Sequence, residues 1–231
     1  MSELRILSGG AAHGLVKALA NSFAQQTGYA IKGDFGAVGI MRDRLFQGER
    51  PDIIILTAAI LRELAEAGIV DGTTIRDVGT VATAIAVRAR DPVPGTGNPE
   101  SLRAALLAAD AIYFPDPKQA TAGIHFQKVL MDLGIFGNVK DRLRTFPNGA
   151  TAMQALAQAP EARPIGCTQA TEIITIDGLR LVGDLPPPHD LATIYTAGVI
   201  MGSTARNAAC DLVTALTSVQ SAELRKQKAF R

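Results

Sequence analysis

The run Asp52-Ile53-Ile54-Ile55-Leu56 constrains the fold more than any other stretch. Four apolar residues in succession, with no polar alternate, do not suit a sheet with one wet face. Such a strand is covered on both sides, the situation of a strand inside a parallel sheet with helices above and below. The rest of the chain agrees. Apolar runs at 4–7, 81–88, 111–114, 143–146, 165–168, 179–182 and 194–200 alternate with segments of helical spacing, such as Leu15, Leu19 and Phe23 at four-residue steps. Residues 29–35 read as a further strand with a polar interruption at Lys32-Gly33-Asp34. Gly28, Gly48 and Gly68 fall where helices should stop. The alternation predicts an α/β fold with mostly parallel sheets.

A chain of 231 residues makes one large domain or two small lobes. With 47% hydrophobic and 19% charged residues it has the material for a core and does not resemble a disordered chain. A formal net charge of +1, with no Lys/Arg cluster interleaved with aromatics, gives no footprint for nucleic acid. No run approaches the roughly 20 apolar residues of a membrane span. The first residues, Met-Ser-Glu-Leu-Arg, show no basic and then apolar leader. The expected location is therefore cytoplasmic for the chain as written, and periplasmic if a leader has been trimmed. No Gly/Ser- or Pro-rich linker divides the sequence, so two lobes would have to exchange the chain inside regular strands, at 80–87 and 192–200. The expected division is 1–81 and 194–231 in one lobe and 82–193 in the other. Pro186-Pro187-Pro188 reads as a stiff, extended spacer.

Four places share one design of strand end, small residues and helix start: Ser8-Gly9-Gly10, Gly36-Ala37-Val38-Gly39, Thr121-Ala122-Gly123 and Asn148-Gly149-Ala150-Thr151. A helix start leaves backbone N–H groups without partners and carries partial positive charge. Small residues let an anion approach that backbone closely. Each N–H···anion bond contributes about 1.5–3 kcal/mol. Several such ends together hold a small anion without an arginine; taken singly, each is also an ordinary cap or tight turn.

Other chemistries find no motif. "GGAAHG" is neither G-x-x-x-x-G-K-[ST] nor G-x-G-x-x-G, and no G-x-S-x-G elbow is present. His13, His125 and His189 are far apart in sequence, and Cys167 and Cys210 match no metal or redox spacing, so neither a metal nor another cofactor is expected. The cysteines read as buried small hydrophobes, with a disulfide left open. His13 and His125 each follow a glycine-containing turn, which makes them either incidental or proton shuttles. Glu172, in "CTQATEI", is either an exposed charge favoured by the first turn of a helix or a base or ligand contact. Lys118, in "PDPKQATAG", is either solvent-exposed or within reach of a carboxylate.

The segments "LSGG", "TGY", "DFGAVG", "PDIIIL", "LAEAGIV" and "DPKQATAG" follow in an order that resembles the molybdate-binding substrate-binding proteins of ABC importers. The resemblance covers nearly the whole chain. It implies the type II periplasmic-binding-protein fold, with two α/β lobes, two crossover strands and a ligand cleft between the lobes. Position by position it implies ligand contacts at Ser8, Gly9 and Gly10, at Ala37, Val38 and Gly39, at Thr121, Ala122 and Gly123, and at Thr168 and Gln169. Those binders carry serine where Ala37 or Val38 stands here, and tyrosine-aspartate where this chain has Thr168-Gln169-Ala170. The departures favour an organic carboxylate over molybdate. In the C-terminal half, "IGCTQATEI", "GLRLVGDLPPP" and "YTAGVI" are similar to the aconitate isomerases, enzymes on the same fold. That similarity implies a carboxylate ligand and a 1,3-proton shift, with His13, His125 or Glu172 as the base. The expected protein is thus a monomer that takes a small anion, working with ABC-transporter membrane subunits if exported; the alternative is a cofactor-independent isomerase.

Overall fold

The computed structural model describes residues 2–231. Strand β1 (Ser2–Gly9), helix α1 (His13–Thr27), β2 (Tyr29–Gly36), α2 (Val38–Phe46), β3 (Ile53–Thr57) and α3 (Ala58–Glu66) lead into the long strand β4 (Arg76–Arg88). Then follow α4 (Pro99–Ala108), β5 (Ala111–Pro115), α5 (Thr121–Asp132), α6 (Phe136–Val139), β6 (Leu143–Phe146), α7 (Gly149–Ala157), β7 (Pro164–Gln169), the single turn α8 (Ala170–Ile173) and β8 (Leu179–Asp184). Strand β9 (Ala192–Val199) and helices α9 (Arg206–Thr217) and α10 (Ala222–Gln227) end the chain. Among the described residues no helix is long and apolar enough to cross a membrane.

The chain forms two compact units. One holds the residues up to Val81 together with Thr193–Arg231; the other is Ala82–Ala192. Both changes of unit fall inside strands, within β4 and at the start of β9.

In the first unit β1 lies between β2 and β3, parallel to both, and β3 pairs antiparallel with β9. The apolar run of β3 behaves as its composition demands: Ile53, Ile54, Ile55 and Leu56 have no exposed surface. Leu15, Val16 and Phe23 of α1, Leu61 and Leu64 of α3, and Leu212 and Leu216 of α9 pack on this sheet. Fully burying such a side chain contributes about 1.5–3 kcal/mol. Helix α1 stops where expected, at Gly28, whose φ of 76° is left-handed.

In the second unit β5 lies between β6 and β7, parallel to both, while β7 and β8 pair antiparallel with β4. Leu102 and Leu106 of α4 and Phe126, Val129 and Leu130 of α5 cover one face of it, against Ile112, Phe114, Ile165, Cys167, Ile85 and Val87. Asn98 and Asn148 close capping boxes with Ser101 and Thr151 and so fix the starts of α4 and α7.

One local expectation is corrected and one open alternative is closed. Residues 186–188 do not form an extended spacer: the His189 N–H donates to the Pro186 carbonyl at 2.8 Å, closing a turn. The cause is one residue of β4. The Thr83 carbonyl accepts from the Leu185 N–H (3.0 Å) and its N–H donates to the Leu191 carbonyl (2.9 Å), pinning both ends of the segment. The cysteines form no disulfide; Cys167 is buried and Cys210 half-buried.

Candidate functional site

In each unit three parallel strands end along one edge of the sheet, and a helix or turn begins just after each. All four small-residue joins read from the sequence lie on these edges, two in each unit.

In the first unit, β1 runs out at Gly9 into a 3-10 turn, Gly10–Ala12, and α1 begins only at His13. A methyl group at Gly9 would come within 3.0 Å of both the Tyr195 ring and the Val38 side chain. Glycine here is what lets the end of β1 lie against the start of α2. That start is Ala37, in extended conformation, followed by Val38, with no side-chain cap on the first turn. Ala37 and Val38 are buried, and Gly39 and Gly10 half-buried. Ser8 has no exposed surface, and its hydroxyl donates to the Gly9 carbonyl at 2.8 Å. The ring of His13 packs on Phe35, with centroids 4.5 Å apart. Lost hydration, and after it the charge of Lys17, lower the His13 pKa.

In the second unit, Asp116 shapes the β5–α5 loop by accepting from the Lys118 and Gln119 N–H groups at 2.6 and 3.0 Å. Lys118 itself is exposed. Helix α5 then starts at Thr121, Ala122 and Gly123, again without a side-chain cap. A side chain on Gly123 would overlap the carbonyls of Pro115 and Asp116, so the helix start is pressed onto the strand end. His125, one turn on, is 2.7 Å through Nε2 from the His189 carbonyl; the carbonyl requires an N–H there, and the ring ties α5 to the 186–189 turn.

Glu172 is where the structure departs furthest from expectation. It is not an exposed first-turn charge: only 7% of its surface is accessible. As the third residue of α8 it reaches back toward its own N-cap, where the Gln169 backbone N–H favours its carboxylate. The Thr168 hydroxyl donates to its Oε2 at 2.6 Å. The carboxyl lies against the backbone of Gly149, the first residue of α7; a methyl there would overlap both the carboxyl and the Thr168 hydroxyl. Burial outweighs these two hydrogen bonds and pushes the Glu172 pKa up to about 7.

Sequence reasoning named Gln169 only through the resemblance and missed Thr83 and Thr171. The side-chain oxygens of Thr83 and Thr171 and both polar atoms of the Gln169 amide are buried without a hydrogen-bond partner. Thr83 and Gln169 are directly opposite in the β4–β7 ladder, so their side chains share one face. It is the face of Ile85 and Cys167, which α5 covers. The two residues therefore close the apolar core at the strand edge with unsatisfied polar groups, each costing about 1–3 kcal/mol. Thr83, standing within the run Val81–Arg88, was the one legible signal. Among the described residues no cluster of His, Cys, Asp and Glu is suited to a metal ion.

The family model of bacterial extracellular solute-binding proteins matches residues 4–231. An aconitate isomerase from Pseudomonas sp. is 25% identical over 96% of this chain and 85% of its own. Among solved structures, the periplasmic molybdate-binding protein of Azotobacter vinelandii superposes with a TM-score of 0.82 at 16% identity, over 99% of this chain and 98% of its own. The sulfate-binding protein SubI of Mycobacterium tuberculosis does so with a TM-score of 0.76 at 17% identity, over 100% and 87%. These likenesses and the two α/β units fit the two-lobed type II binding fold. With its family model spanning all but the first three residues, the chain belongs to the bacterial extracellular solute-binding proteins.

Proposed function

We propose that this protein binds a small anionic solute, an organic carboxylate in preference to a tetrahedral oxyanion. The observation that carries this reading is the edge of the second unit. There the uncapped start of α5 accompanies a buried Gln169 amide whose donor and acceptor are both unused. Helix N–H groups suit a carboxylate, and the amide suits a neighbouring hydroxyl or carboxyl on the same solute. The molybdate- and sulfate-binding proteins of like fold support an anion; the isomerase relative supports a carboxylate. As a receptor, the protein would pass its solute to the membrane subunits of an ABC importer. Titration calorimetry against molybdate, tungstate, sulfate and a series of di- and tricarboxylates is expected to find a carboxylate bound more tightly than about 1 mM, equivalent to about −4 kcal/mol. No binding in that range would remove this reading.

The second reading is catalysis by proton transfer, and Glu172 favours it. A buried carboxyl titrating near neutrality is suited to take and return a proton at a carbon beside a carboxylate. Incubation with cis- or trans-aconitate in deuterated water is then expected to give interconversion with deuterium in the product. Neither interconversion nor exchange would leave the protein a binder alone.

A further inference from the structure

Helix α7 is nine residues long and its first turn is of the kind that accepts an anion, yet a carboxyl of this chain already lies there. Asn148 takes the Thr151 N–H at 2.9 Å, and the Glu172 carboxyl lies against Gly149 so closely that no methyl group fits between them. On the opposite face of β7, the one that α5 covers, the Gln169 amide is buried and unpartnered, and within α8 the Thr171 hydroxyl is likewise buried without a partner. A compact oxyanion gains its binding by meeting several helix starts at once, and this one is occupied by a group of the same sign.

We propose that Glu172 is a specificity-determining residue that keeps compact dianions out of this edge and leaves it to solutes reaching the α5 start and the Gln169 amide through a carboxylate. This inference rests on the anion-binding reading above and adds which anions are refused. Rejection is strongest when Glu172 is ionised and relaxes as it takes up a proton. The elements packed on α8 are α7, β7 and β8. Helix α7 has no titratable side chain, β7 has only the Cys167 thiol on its other face, and β8 has Arg180 and Asp184. Arg180 donates to the Ala89 carbonyl at 2.9 Å. Burial, Thr168 and Gln169 thus govern the proton on Glu172.

The test compares wild type with Glu172→Gln by calorimetry, using sulfate, which stays dianionic throughout, molybdate, and the tricarboxylates of the panel. At pH 8.5 the variant is expected to bind sulfate or molybdate at least tenfold more tightly than wild type. Wild type is expected to recover most of that gain for sulfate on moving from pH 8.5 to pH 6, and the variant to show no such change. The wild-type pH series needs no substitution, so it decides the matter even if the variant folds poorly. If carboxylates bind but sulfate and molybdate bind both proteins alike at every pH, this inference fails and the anion reading stands. If no probe binds either protein, both fall.

Discussion

Glu172→Gln is expected to become more stable than wild type by about 3 kcal/mol as the pH is raised from 5 to 8.5, because a carboxyl moved from 4.5 to about 7 in the folded chain costs that much once ionised. The sign follows from the direction of the shift. The folded protein holds the Glu172 proton more tightly than the unfolded chain does. Its stabilising contribution is complete below about 4.5 and is lost as the pH rises through about 7. Glutamine keeps an oxygen to accept from Thr168 and has no proton to lose. Urea unfolding of both proteins at pH 5 and pH 8.5 checks this: the two should nearly coincide at the lower pH and separate at the higher. Curves that run parallel across the range would mean that the acid is hydrated and that its place against Gly149 is not kept in solution.

Asp91→Ala is expected to cost about 3–5 kcal/mol, the range for stranding one member of a buried ion pair. The Arg88 side chain is only 6% accessible. Its guanidinium donates twice to Asp91, at 2.6 and 3.1 Å, and also to the carbonyls of Ala159 (2.6 Å) and Ala162 (3.0 Å). The last two contacts fasten the segment before β7 to the end of β4. Without Asp91 the charge stays buried with carbonyls alone. Replacing both residues, Arg88→Met with Asp91→Ala, should restore most of the loss, since two ions then leave the interior together. A double-mutant cycle in urea measures the coupling; a loss below about 1 kcal/mol for Asp91→Ala would place the pair among weak surface contacts. Because β4 and β7 are antiparallel, this pair lies at the edge opposite Glu172. The variant should therefore leave solute affinity unchanged.

Much of the framework was legible because it depends on local chemistry. Four buried residues in Ile53–Leu56, left-handed Gly28, and the caps at Asn98 and Asn148 each say what they are within a few residues. The antiparallel strands β4 and β9 were not separable from the parallel ones, since a strand covered on both faces has the same apolar run in either direction. The site was legible only as a set of edges. Ser8 and Gly9 stand at a strand end and Ala37, Thr121 and Gly123 at helix starts, as their turn chemistry indicates. What the sequence does not carry is distance. Glu172 is buried because α8 is one turn long and brings it back onto α7, and nothing within "CTQATEI" encodes that approach. The turn at 186–189 is hidden for the same reason: its cause is Thr83, about a hundred residues earlier.

The two thiols give the chain a gauge of its own integrity. Cys167 is sealed in the core of the second unit, where burial also keeps it protonated, while Cys210 is half open in the first. A thiol reagent therefore distinguishes the units without any added label: modification of Cys210 proceeds from the native state, and modification of Cys167 counts the openings of the sheet that carries Glu172.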